Sequence, residues 1–393
     1  MNRGPALKLL LTATALALSS VLALGACSTP TVRPDPRSDS TGSAPTSTEG
    51  QAQEEAAPVP PPSVEESRRW EQGDRHYGVQ VYAHTAQGRP ADEFAGPVLD
   101  YVVGLGANAV GFTFPLYTDS VTSNVVEAGP ETPPPGVITS LVSAAHERGL
   151  RVTLRPTIDE ANLMQQPGEW RGTLRPTDLD QWFASYEQAL RPYLEVAAAT
   201  KVEEFVLAAE LTSMQRHTSR WKQLARNAAK TYPGTLSFTF NWDSGTKDLF
   251  PNQALGIDLY YALDLGDDAS AADVAAGLSE AIERSPKKMR KRMAAQEVGI
   301  AAMKGMFRTP WYWGATRDPS KIDHSVQTRW FEGACRATID SGLDGIYYWM
   351  VDSSQDPKTV DPDDQVAAGF VGRPGEDSIK DCFTAQADAD RRE

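Results

Sequence analysis

The sequence predicts an α/β fold, a (β/α)8 TIM barrel, and three observations carry that prediction. From Tyr77 onward short apolar runs alternate with helical patterns, giving eight strand candidates over about 275 residues, the size of such a barrel. The run EEFVLAAEL, residues 203–211, is apolar enough for burial on both faces, as strands of a parallel sheet are, and it ends on a carboxylate, Glu210. The stretch MAAQEVG repeats that design and sets Glu297 in the matching position. The C-terminal ends of barrel strands form the functional mouth, so both glutamates are expected there.

In chain order, the expected strands begin with YGVQVYA (77–83), AVGFTF (109–114), LRVTLRPT (150–157) and EFVLAAEL (204–211). TLSFTFNW (235–242), GIDLYYAL (256–263), RMAAQEV (292–298) and GIYYWM (345–350) complete them. Helical patterns fall at 92–105, 137–148, 178–199, 217–231, 271–284 and 324–341, and Gly106 and Gly149 stand where the first two must stop. The link between the fifth and sixth strands is too short for a full helix. An open doubly wound sheet is the alternative fold, but it usually carries a Gly-rich phosphate loop after its first strand, and AHTAQG is not one.

Four segments are expected. Residues 1–26 resemble a signal peptide: Arg3 and Lys8 form a basic start, an apolar run follows, and the run closes on LGAC. That ending resembles a bacterial lipobox, in which Cys27 would carry lipid and hold the chain to the membrane without a transmembrane helix. An ordinary signal peptide with an incidental Cys27 is the alternative. Residues 27–70 are rich in Pro, Ser, Thr, Ala and Glu and lack apolar periodicity. Such a stretch cannot offset its ordering entropy and reads as a disordered tether. Residues 71–385 hold the barrel, and 386–393, QADADRRE, a disordered tail. The expected location is extracytoplasmic, on the outer face of the cell membrane.

The 393 residues carry a net charge of −14, from 38 basic and 52 acidic side chains. An acidic chain is a poor polyanion binder, so nucleic acid is not an expected partner. A neutral polysaccharide fits better. With Cys27 set aside, Cys335 and Cys382 form an even remainder that an oxidising compartment allows to pair, two separate thiols being the alternative. No Cys/His cluster has zinc spacing, so neither metal nor cofactor is expected. A monomer is expected.

Two glutamates on strands 4 and 7 lie across a barrel mouth from one another and can flank a sugar ring. Retaining glycoside hydrolysis needs such a pair, about 5–5.5 Å apart, one to protonate the leaving oxygen and one to attack the anomeric carbon. Rim carboxylates in ion pairs are the alternative.

The order and spacing of LRPTID, WFASYEQAL, FVLAAEL, SFTFNWD, GIDLYYAL and QEVGI resemble glycoside hydrolase family 113, from about Gly78 to Met350. Known members of that family are β-mannanases of the retaining clan A. The resemblance implies that Glu210 is the acid/base and Glu297 the nucleophile. Most of the clan has Asn before the acid/base, where this chain has Ala209, and that Asn usually holds the sugar 2-hydroxyl. The clan's Tyr that hydrogen-bonds the nucleophile falls on Tyr260 or Tyr261, of which Tyr261 is preferred. Trp349 matches the aromatic platform under the reacting sugar.

Other strand-end and loop residues are candidates for holding substrate. Arg155 in strand 3 could keep a carboxylate ionised, or serve as a core ion pair. Asn241 and Trp242 end strand 5. Trp170, Trp311 and Trp313 lie in loops where a mouth should be and suit the apolar faces of sugars, the alternative being loop and core packing. The expected activity is retaining hydrolysis of an extracellular or envelope β-linked polysaccharide. A non-catalytic glycan-binding lipoprotein would need the aromatics but not both carboxylates.

Overall fold

All eight expected runs become strands of one closed parallel barrel, buried along nearly their whole length, so neither face of the sheet is left in water. The computed structural model describes residues 69–86, 88–244, 253–312, 319–363 and 369–390. The strands are β1 (His76–Tyr82), β2 (Ala109–Leu116), β3 (Arg151–Ile158), β4 (Glu204–Ala209), β5 (Thr235–Asn241), β6 (Ala254–Asp258), β7 (Met293–Val298) and β8 (Gly345–Asp352). Each pairs with the next in sequence, and β8 closes on β1. The helices are α1 (Ala95–Gly104), α2 (Pro135–Glu147), α3 (Leu179–Thr200), α4 (Thr218–Thr231), α5 (Ala271–Glu283), α6 (Lys287–Arg290), α7 (His324–Asp340) and α8 (Gly375–Asp390). Among the described residues no helix separates β5 from β6, and none is long and apolar enough to cross a membrane.

Local chemistry sets the helix ends. Asp178 accepts from the Asp180 and Gln181 N–H groups and starts α3. Ser270 and Asp273 form a capping box at α5. Gly149 follows α2 at φ 72°, a left-handed turn open to glycine without a Cβ penalty.

Two boundaries differ from the sequence expectation. β6 ends at Asp258 rather than at residue 263, because the Tyr260 N–H folds back to the Asp258 carbonyl and takes the chain out of the sheet. The stretch from residue 386 is not a disordered tail from its start: α8 continues to Asp390, and Gln386 is buried with its amide against Cys335 and Cys382.

The barrel interior is polar at its lower levels, where such barrels are usually filled by branched aliphatics. Glu204 on β4 accepts from Arg151 at 2.7 Å and from Ser237 at 2.6 Å. Gln296 reaches the same carboxylate at 3.2 Å, and Gln80 bonds Gln296 and Thr113. Room for the two glutamines comes from glycine. A Cβ at Gly111 would lie 2.1 Å from the Gln80 amide, and one at Gly256 would lie 2.5 Å from Gln296.

A disulfide joins Cys335 on α7 to Cys382 on α8, 47 residues apart in sequence. Cross-linking restricts the unfolded chain, so replacing both cysteines by Ala should cost about 2–4 kcal/mol. Thermal unfolding of the double variant against the parent measures it, and an unchanged Tm would show that α8 holds by packing alone.

Candidate active site

The upper end of the barrel collects carboxylates because three strands depart from regular alternation just below it. Successive residues of a strand face opposite ways. On β7, however, Gln296 and Glu297 both point into the barrel. The register shows why: Ile257 pairs with Ala295 and Asp258 with Glu297, so one extra residue is inserted in β7. Bulges of this kind re-aim side chains. A similar shift in β4 skips Leu207, whose carbonyl instead accepts from Tyr186 of α3 at 3.0 Å. The third lies between β1 and β8 at Met350, next to Trp349.

Glu210 follows β4 at φ 57°, a left-handed conformation costing a non-glycine residue about 1–3 kcal/mol. Its N–H donates to the Thr239 carbonyl and its own carbonyl accepts from Thr212. One carboxylate oxygen accepts from Arg171 Nη1 at 2.7 Å. Arg171 is held from the other side by Glu160 at 2.9 Å and by the Ile158 carbonyl at 2.7 Å.

Among the described residues, two donors reach Glu297. Arg155 Nη1 lies 2.5 Å from Oε1, and Tyr260 donates its hydroxyl to Oε2 at 2.7 Å. Arg155 spends its other amino group on Asp258, 2.7 Å away. Burial pushes Glu297 above the ordinary carboxylate range; the Arg155 charge opposes that shift, the Glu210 charge adds to it and the Tyr260 hydrogen bond counters it. Burial also pushes Asp258 well up, against the pull of Arg155. Tyr260, buried beside the Glu297 charge, keeps its proton and stays a donor.

The sequence candidates divide. Glu210, Glu297, Arg155, Tyr260 and Trp349 share this end of the barrel. Of the roles expected for Arg155, the one the structure supports is the carboxylate partner: it pairs with Asp258 and Glu297. At 1% exposed it is out of a sugar's reach, so it does not hold substrate directly. Tyr261, preferred as the partner of Glu297, packs edge-on to Trp242 with centroids 5.8 Å apart. The turn that ends β6 at Asp258 hands the inward position to Tyr260. Trp242 stacks on Trp311 at 4.9 Å and 17°, and Trp311 remains 44% exposed. Asn241 is buried and donates to Asp243 at 2.7 Å. The half-buried Trp170 folds its indole over Gly172, where a Cβ would lie 2.1 Å from it. Trp313 and Cys27 lie outside the described residues.

Residues that sequence reasoning missed complete the site. Asp258 stands two positions before Tyr260 in GIDLYYAL, a spacing that would have suggested a shared face. Arg171 and Glu160 come from a loop without periodicity. Beside Trp349, Tyr82 packs edge-on at 6.2 Å, and His84 bonds Asp352 at 3.0 Å with Glu131 at 3.7 Å. Among the described residues no group of side chains is arranged to hold a metal ion.

His84 is opposed by burial, yet Asp352 and Glu131 raise its proton affinity above the ordinary histidine value. A raised folded-state pKa contributes stability that is complete below the unfolded value and is lost as pH rises through the folded one. The Tm gap between the parent and His84→Gln should therefore be larger at about pH 6 than at about pH 9. A gap independent of pH would show that the ring acts by packing.

The glycoside hydrolase family 113 model matches residues 81–365. No curated protein matches. A solved β-1,4-mannanase of family 113 superposes with a TM-score of 0.66 at 21% identity, covering 79% of this chain and 99% of its own. The family 113 β-mannanase AaManA from Alicyclobacillus acidocaldarius, in complex with ManMIm, gives 0.63 at 20% identity, covering 80% and 98%. The exo-β-1,4-mannosidase Op5Man5 from Opitutaceae bacterium strain TAV5 gives 0.53 at 14%, covering 83% and 63%. These three likenesses speak for the fold, and the family match, over most of the barrel, speaks for descent. The chain belongs to glycoside hydrolase family 113 and is a glycoside hydrolase.

Proposed function

We propose that this glycoside hydrolase cleaves a β-linked mannan by double displacement, with Glu297 as nucleophile and Glu210 as acid/base. The observation that carries the proposal is the pair of carboxylates at the ends of β4 and β7, at one end of the barrel and each held by its own arginine. Arg155 and Tyr260 favour ionised Glu297, the form that attacks. Glu210 gives a proton to the leaving oxygen in the first step. Once Glu297 is esterified its charge is gone, and Glu210 takes a proton from the attacking water. Ala209 brings no side-chain donor to the sugar. The Arg171 guanidinium is the cation beside Glu210, and Trp349 offers the sugar an apolar face. The mannan assignment draws on the solved mannanases and on a net charge that suits a neutral polymer. We further propose that the enzyme works outside the cell, anchored by lipid on Cys27.

The two glutamates should fail differently. Glu297→Ala cannot form a glycosyl-enzyme, so turnover of mannan and of an aryl β-mannoside should collapse. Glu210→Ala still lets an activated aryl leaving group depart, and added azide should then release β-mannosyl azide. Product analysis of both variants decides it. A β-azide from Glu297→Ala and none from Glu210→Ala would reverse the roles. Full activity in both would place the site elsewhere.

A further inference from the structure

Asp258 has no route to a substrate. It ends β6 with no exposed surface, level with Glu297 on β7. One of its oxygens accepts from Arg155 Nη2 at 2.7 Å, and the other finds no partner among the described residues. A carboxylate buried this way is strongly disfavoured unless its charge is compensated. The compensating cation is the one that also holds Glu297 at 2.5 Å. One guanidinium therefore serves two carboxylates, and what one gains the other loses.

We propose that Asp258 is a positioning residue for the nucleophile: it fixes the Arg155 fork so that Nη1 meets Glu297, and it draws off part of the guanidinium charge so that Glu297 stays basic. The inference rests on Glu297 being the nucleophile. It adds a division of charge that the two-glutamate mechanism does not contain. A nucleophile paired with an undivided guanidinium is ionised more easily but attacks more weakly. Asp258 also gives Arg155 a counter-ion while Glu297 is esterified and neutral. The groups that bear on this pair are Arg155 of β3, Arg171 of the loop after β3, Glu210 after β4 and Tyr260 after β6. Burial pushes Asp258 well up, Arg155 opposes that, and the Glu297 charge adds to it, so the two carboxylates meet through the one guanidinium.

The test is the pH profile of kcat/KM on mannohexaose for the parent and for Asp258→Asn. The amide keeps an oxygen for Arg155 and removes the charge. Arg155 then acts on Glu297 alone, and the acid limb should move down by about half a unit or more. Asp258→Glu keeps the charge and should return the limb toward the parent position. Should the amide prevent folding, Asp258→Thr, a smaller side chain with an acceptor, should shift the limb in the same direction. An acid limb that stays in place in a folded, active variant would overturn the inference and leave Asp258 as a buried structural counter-ion. A parent that hydrolyses neither mannohexaose nor any other β-glycan would instead overturn the proposed function.

Discussion

The site depends on one buried cation. Arg155 is almost wholly excluded from solvent, and a guanidinium in that position is tolerable only if anions meet it at hydrogen-bond distance. Asp258 and Glu297 do so, from two adjacent strands held about 4.8 Å apart by the sheet. The level pairing of residues 258 and 297 sets both carboxylates at one height, facing β3. That pairing exists because β7 carries a bulge, without which Gln296 and Glu297 would face opposite ways. Arg155, the bulge and the short β6 are thus parts of one arrangement. Changing any of them moves the carboxylate that the proposed reaction needs.

Beneath it, a second buried ion pair repeats the logic. Arg151 and Glu204 meet at 2.7 Å, with Ser237, Gln296 and Tyr347 satisfying remaining positions. Gln296 links the levels, because it is bonded to Glu204 below and adjoins Glu297 above. A polar interior is less forgiving than an aliphatic one, since each unsatisfied group carries a desolvation penalty. Its benefit is orientation: hydrogen bonds fix direction where dispersion contacts do not.

The fold was legible because burial on both faces leaves a simple trace. FVLAA is an unbroken apolar run, SFTF and MAAQEV are short β-prone or apolar stretches with few polar residues, and each became a strand within a residue or two of its expected ends. Glu210 and Glu297 were legible for the same reason, as carboxylates where such runs stop. The phase after β6 was not. A turn closed by the Tyr260 N–H on the Asp258 carbonyl leaves no compositional mark, and it exchanged Tyr261 for Tyr260. Asp258 was hidden inside an apolar run. Arg171 was hidden in a loop, where tertiary contacts with Glu160 and the Ile158 carbonyl, not periodicity, decide where a side chain goes. Trp242 and Trp311 show a further thing periodicity does not carry: aromatics assigned singly stack on each other, with Trp311 left exposed.

Glu297 as the attacking residue is the claim on which the rest converges, and trapping tests it most directly. A 2,4-dinitrophenyl 2-deoxy-2-fluoro-β-mannoside should inactivate the enzyme by stalling the covalent intermediate. Proteolysis and mass mapping of the labelled peptide should then find the fluorosugar on Glu297. Label on Glu210 or Asp258, or release of an inverted product by an enzyme that never labels, would contradict the account.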